Sequence, residues 1–157
     1  ANVVELEKKR DELKTVWAGD VVIIPKALAD SNRRITFFDI ENKDASYSPD
    51  FRDETRCVSD EKCDRIEVET CVIDEVIPES ESVRYIKMDV EGAEYETLVG
   101  AKSTIKREKP GLAISIYHNA EDYYRLAELI LSYVPEYHLA VRHHKTRHVD
   151  TVLYAWV

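Results

Sequence analysis

The chain has 157 residues, 44% of them hydrophobic and 34% charged, with a net charge of −9. That is one domain's length with enough apolar residues for a single core, and a globular composition. Its acidity argues against the phosphate backbone of a nucleic acid as a partner.

No apolar run approaches the ~20 residues that cross a bilayer, and the opening ANVVELEKKRDEL lacks the basic-then-apolar layout of a signal peptide. A cytoplasmic protein without a membrane partner is therefore expected. Cys57, Cys63 and Cys71 are odd in number, with no C-x-x-C pair and no zinc-like spacing, so they read as reduced thiols. Cys57 and Cys63 are near enough in CVSDEKC to pair in an oxidising buffer.

In chain order, residues 2–17 predict a helix. Asn2 is placed to cap it, Leu6, Leu13 and Trp17 share a face, and Gly19 stops it. VVIIP then reads as a buried strand. The stretch at about 31–82 is a strand-rich excursion, with RITFFDI and RIEVET as strands around a mobile polar insert, followed by a helical turn at VIDEVI.

From Val83 the pattern sharpens. RYIKMDV is a strand, and a helix from about Ala93 to Arg107 turns Tyr95, Leu98, Val99 and Ile105 inward. After the breaker pair Lys109-Pro110, GLAISIY is a strand. Asn119 caps a helix with Tyr123, Leu126, Ala127, Ile130, Leu131 and Val134 inward, closed by Pro135. YHLAVR and TVLYAWV are strands joined by HHKTRHVD, short enough to make them antiparallel. Together these elements predict an α/β layer fold, a mainly parallel sheet covered on both faces.

Ligands of open α/β sheets bind at the carboxyl ends of strands, and Asp89-Val90-Glu91-Gly92 falls at such an end. Glu94 and Gly92 are accounted for by helix-dipole complementarity and close strand–helix packing. Asp89 is not, because an acid at the tip of a strand costs free energy unless it has a partner or a task.

IKMDVEGAEYETLVGA followed by KPGLAISIYH resembles the signature of the FkbM family of S-adenosylmethionine-dependent methyltransferases, and VRHH…DTVLYA resembles the family's tail. Residues 83–157 carry most of the likeness. The resemblance implies a Rossmann-like class I methyltransferase sheet, mostly parallel with an antiparallel C-terminal strand, as a single partial domain over 1–157. VVIIP would be its third strand, YIKMD its fourth, GLAISIY its fifth, and the last pair its sixth and seventh.

The family's glycine-rich turn and the acid ending its second strand have no match. Gly19, Gly92, Gly100 and Gly111 cannot make a G-x-G-x-x-G loop. The domain is thus expected to be N-terminally incomplete, the C-terminal portion of a longer protein, with a hole in mid-sheet. The alternative is a rearranged sheet, with the VVIIP strand shifted beside the fourth strand or pairing with a second copy of the chain, since an unpaired apolar edge invites partners.

By resemblance the cofactor is S-adenosylmethionine and the acceptor an oxygen of a small molecule or sugar. Asp89, Glu91 and His118 are the implied catalytic residues, and Ala27, Asp30 and Asp89 the implied cofactor contacts, with Leu28 beside them. Asp89 would act as a base, an acceptor-orienting group or a ligand for a divalent cation; His118 has a reference pKa of ~6.5 suited to a base. No metal site is assigned.

His143, His144 and His148, interleaved with Arg142, Lys145 and Arg147, read as a solvated basic loop or an anion-holding one. Two other readings stand beside the enzyme. One is a non-catalytic fragment or interaction module; the other, a metal-dependent hydrolase, lacks any H-x-x-E-H-like spacing.

Overall fold

The computed structural model describes residues 2–13, 19–40, 63–145 and 150–157. Trp17, Cys57, His148 and the polar insert at 41–62 lie outside the described residues. Cys71 is buried and free, and its burial pushes the thiol pKa up.

Helix α1 spans Asn2–Leu13. Leu6, expected on a buried face, is 52% exposed. Its neighbours three and four residues on are Lys9 and Arg10, so that turn has no apolar stripe to bury.

VVIIP forms no strand: Val22 is 81% and Ile24 45% exposed. Pro25 offers no N–H to a ladder, and the Lys26 N–H turns back to the Ile24 carbonyl at 2.8 Å. The strand starts later, as β1 (Ala27–Leu28). It pairs in parallel with β3 (Cys63–Cys71), which pairs antiparallel with β2 (Arg34–Ile40), in the order β1-β3-β2. The buried Thr70 fastens the approach to β2, donating to the Ser31 carbonyl at 2.7 Å and accepting from the Arg33 N–H at 2.8 Å.

After the short helix α2 (Ile73–Val76), β4 (Tyr85–Met88) leads into α3 (Glu94–Val99) and α4 (Lys102–Glu108). The sequence predicts one helix here. It breaks at Gly100, where a Cβ would lie 2.3 Å from the Ala29 carbonyl oxygen, so β1's exit can cross the helix only over a glycine. Asp74 of α2 accepts the N–H groups of Ser103 and Thr104, both at 2.8 Å, and so caps α4 from another element. Leu98 and Ile105 are fully buried as expected, whereas Val99 is 37% exposed.

β5 (Gly111–Ser115) precedes α5 (Asp122–Tyr133), then β6 (His138–His143) and β7 (Thr151–Trp156). Asn119 does not cap α5 from the adjoining position, which Glu121 occupies; it acts from further back, its side-chain amide donating to Asp122 Oδ2 at 2.9 Å. The inward face carries Asp122, Leu126, Ile130 and Tyr133, while Tyr123 and Leu131 are exposed. The expected face was rotated because Asp122, an acid, occupies a fully buried position that hydrophobicity alone assigns to a neighbour.

The second sheet has the order β4-β5-β7-β6. β4 and β5 are parallel, and β7 is antiparallel to both β5 and β6. Among the described residues two pairings are parallel and three antiparallel, so the architecture there is mixed α/β and not mostly parallel. Leu112, Ile114, Leu153 and Ala155 on one face are buried in the main core with Leu98, Leu126 and Ile130. On the other face, among the described residues, Ala113 and Ser115 at the middle of the sheet are buried while Tyr85, Lys87 and Trp156 toward its edges are exposed.

β1 does not join β4, whose outer edge has no strand partner among the described residues. Ala27 instead packs on a small cluster with Ile35, Ala93 and Val90, so the three-stranded sheet leans on the turn that follows β4. Among the described residues no helix is long and apolar enough to cross a membrane.

Candidate active site

The turn between β4 and α3 is built by the sequence DVEGAE. Gly92 sits at φ 103°, a conformation that favours glycine, and Glu91 beside it at φ 55°. This left-handed pair would leave N–H groups pointing inward without partners. Glu94, fully buried, supplies them: its carboxylate accepts from the Val90 and Gly92 N–H groups, each at 3.0 Å. Glu94 therefore braces the turn from within.

The same carboxylate reaches His118 Nδ1, just past β5, at 2.8 Å. That contact directs Nε2 the other way, where Glu91 Oε2 lies 3.4 Å and Asp89 Oδ1 3.7 Å off. Nε2 is buried and makes no hydrogen bond. Burial pushes the His118 pKa down, but the bond to Glu94 and the charges of Glu94, Glu91 and Asp89 outweigh it and raise the pKa above its usual value. Tyr117 donates its hydroxyl to Asp89 Oδ1 at 3.2 Å, and burial together with that carboxylate pushes its pKa up to about 12, so it stays a donor.

Beside His118 opens a cleft of about 460 Å³ lined by Gly92, Glu96, Asn119, Glu121 and Arg125 among others. Asn119 ties its two walls, donating to the Gly92 carbonyl at 3.3 Å and to Asp122. Arg125 is fixed by Asp122 at 2.8 Å and by the Tyr95 ring at 4.3 Å. Three residues of the lining carry a buried polar atom without a hydrogen-bond partner: Glu96 Oε2, His118 Nε2 and Arg125 Nε.

A profile of the methyltransferase FkbM domain matches residues 6–144. The chain belongs to the FkbM methyltransferase family. Among solved structures it is similar to methyltransferase FkbM from Methylobacillus flagellatus KT, with a TM-score of 0.72 and 27% identity over 99% of this chain and 34% of that one. The family member described here thus spans about a third of that relative's length. No curated protein matches the chain.

Of the FkbM-type residues named from the sequence, the structure brings Asp89, Glu91 and His118 together at the carboxyl ends of two adjacent parallel strands. Ala27 pairs with Thr70 and packs beside Ile35, Ala93 and Val90, and Leu28 sits on the main core with its carbonyl accepting from the Thr97 hydroxyl at 3.4 Å. Asp30 is separate and occupied, paired with Arg33 at 2.6 Å.

The basic loop does not form a histidine cluster among the described residues. His143 bonds Thr151 at 2.8 Å, His144 bonds the Tyr154 hydroxyl at 2.9 Å, and Lys145 pairs with Asp150 at 2.5 Å. Sequence reasoning missed Tyr117, Glu96, Asn119 and Arg125 as site-forming groups. The signal for Arg125 was available: it lies one helical turn after Glu121 and Asp122, toward the same strand ends.

Proposed function

We propose that this chain carries the acceptor half of a methyltransferase site, which passes a methyl group from S-adenosylmethionine to a hydroxyl oxygen of a sugar or similar polar small molecule. The supporting observation is the cleft beside His118, where buried Glu96 Oε2, Arg125 Nε and His118 Nε2 lack hydrogen-bond partners. An unmet acceptor and an unmet donor in one cleft suit a ligand whose groups both give and take hydrogen bonds, which is the property of a polyol. An oxygen that gains a methyl group must shed its proton, and His118, backed by Glu94, is a base placed at that cleft. Asp89 and Glu91 stand next to it to favour the resulting cation.

The residues present fit the methyl donor only in part. The carboxylates suit its sulfonium and ammonium charges, but the chain has no glycine-rich turn, and Asp30, at the expected adenosine end, is taken by Arg33. Reading β4-β5-β7-β6 as part of a Rossmann-like class I sheet is supported by that order and by the antiparallel β7.

The incomplete donor cradle also favours a second reading, an α/β module that does not itself catalyse. Calorimetric titration with S-adenosylhomocysteine, followed by transfer of labelled methyl groups to a panel of sugars and polyols, separates them. Micromolar binding and a labelled methyl ether that disappears in His118→Asn are expected. A folded chain that binds no S-adenosylhomocysteine would support the module; binding without any labelled polyol would refute the acceptor class.

A further inference from the structure

In the neutral imidazole, the lone pair of His118 Nε2 faces two carboxylates, and the three groups together favour a positive charge between them. With Nδ1–H donated to Glu94 at 2.8 Å, Nε2 presents its lone pair to two carboxylates, 3.4 Å and 3.7 Å away, and hydrogen-bonds to neither. The His118 side chain is 10% exposed and its Nε2 is buried, so on the imidazole side no water meets that atom. A positive charge among the three groups would satisfy it.

Two of the three spacings approach those of ligands around one ion. Asp89, Glu91 and His118 each offer a ligand atom, all within 4.8 Å of one another. An ion ~2.1 Å from each ligand has ligand–ligand edges of about 3.0 Å in an octahedron and about 3.4 Å in a tetrahedron. The Nε2 distances to the carboxylates stand close to the latter, so small side-chain rotations complete the set.

The surroundings also match those of metal-ligating histidines, which donate their other ring N–H to a carboxylate and so hold tautomer and orientation. Glu94 does this here, and its own position is fixed by the Val90 and Gly92 N–H groups. Tyr117 orients Asp89 in the same way. Two carboxylates and a neutral imidazole balance a dication and mix hard oxygen with borderline nitrogen, a set suited to Mn²⁺, Fe²⁺ or Zn²⁺.

We propose that Asp89, Glu91 and His118 form a binding site for a divalent first-row transition-metal cation, with open positions that take oxygens of the acceptor. Three protein ligands leave such positions free. A hydroxyl bound there releases its proton to water more readily, and His118 is then a ligand and not the base. Only this role for the open positions rests on the methyl-acceptor reading; the ion site itself does not.

The test is Mn²⁺ binding to the chain, followed by calorimetry and pulsed electron paramagnetic resonance. One ion per chain with a nitrogen hyperfine coupling is expected, the coupling vanishing in His118→Ala. Asp89→Asn and Glu91→Gln, at positions exposed enough to leave folding intact, should each weaken binding at least about tenfold. No binding by a chain with a folded circular dichroism spectrum, or binding unchanged in all three variants, would overturn the site. Specific binding without methyl transfer to any polyol would leave the ion site standing and remove the acceptor reading, whereas transfer that persists in metal-free buffer would remove the ion's part in activating the acceptor.

Discussion

Glu94 is the residue on which the turn depends, because its buried carboxylate answers two backbone N–H groups and one imidazole at once. Glu94→Ala should cost roughly 2–4 kcal/mol in urea unfolding, since two buried donors lose their partner. A cost below ~0.5 kcal/mol would show that other groups take over those N–H bonds. From the sequence alone Glu94 looked like a dipole-complementing acid in the first turn of a helix. Its link to His118 was not legible, because it spans 24 residues and depends on β4 and β5 being neighbours. Asp89 was legible for the opposite reason: an acid at a strand end has few structural tasks.

At the scale of elements, α5 separates pattern from packing. Leu126→Ala or Ile130→Ala should each cost about 2–5 kcal/mol, both side chains being fully buried. Tyr123→Ala, on the exposed face, should stay within about 0.5 kcal/mol by the same unfolding measurement. Periodicity found the helix but set its face slightly wrong, because buried Asp122 is invisible to a hydrophobic count.

The break between α3 and α4 was missed for a similar reason. A glycine in a helical run signals little until the strand crossing it is known. Gly100→Ala should destabilise by roughly 1–3 kcal/mol, because the added methyl meets backbone at Ala29 and no flexible side chain can yield. A melting temperature equal to that of the unaltered chain would contradict that crossing.

The cap that Asp74 places on α4 predicts a pH dependence. Burial acts to raise its pKa, but the N–H bonds from Thr104 and Ser103 outweigh it, and the net shift is downward. The stabilisation is therefore complete above the unfolded value of ~3.9 and is lost as pH falls through the lower folded value. Asp74→Asn should cost about 1 kcal/mol near neutral pH, and the gap to the unaltered chain should close in strong acid. A gap of constant size down to the acid limit would mean that the cap does not act through charge.

For the whole molecule, alternation of helices with strands is enough to read the α/β class and the antiparallel close of the chain. Strand pairing was less accessible. VVIIP has the composition of a buried strand, yet Pro25 and the Lys26 turn delay the strand to Ala27, and its partner β3 lies across the whole of the 41–62 insert. A mostly parallel sheet is expected from the alternation and from the resemblance, but among the described residues the antiparallel pairings β2–β3, β5–β7 and β6–β7 outnumber the two parallel ones.

β4 has one neighbouring strand among the described residues, β5, while β5 lies between β4 and β7. The strand that carries Asp89 and Glu91 into place is therefore an edge strand, with a shorter route to local opening than β5. Amide hydrogens of 85–88 should exchange with deuterated water sooner than those of 112–115, without loss of the core beneath α5. If so, the turn breathes on a clock of its own, and ligands at the carboxylates would be caught and released by fraying of one edge, while the rest of the fold keeps still.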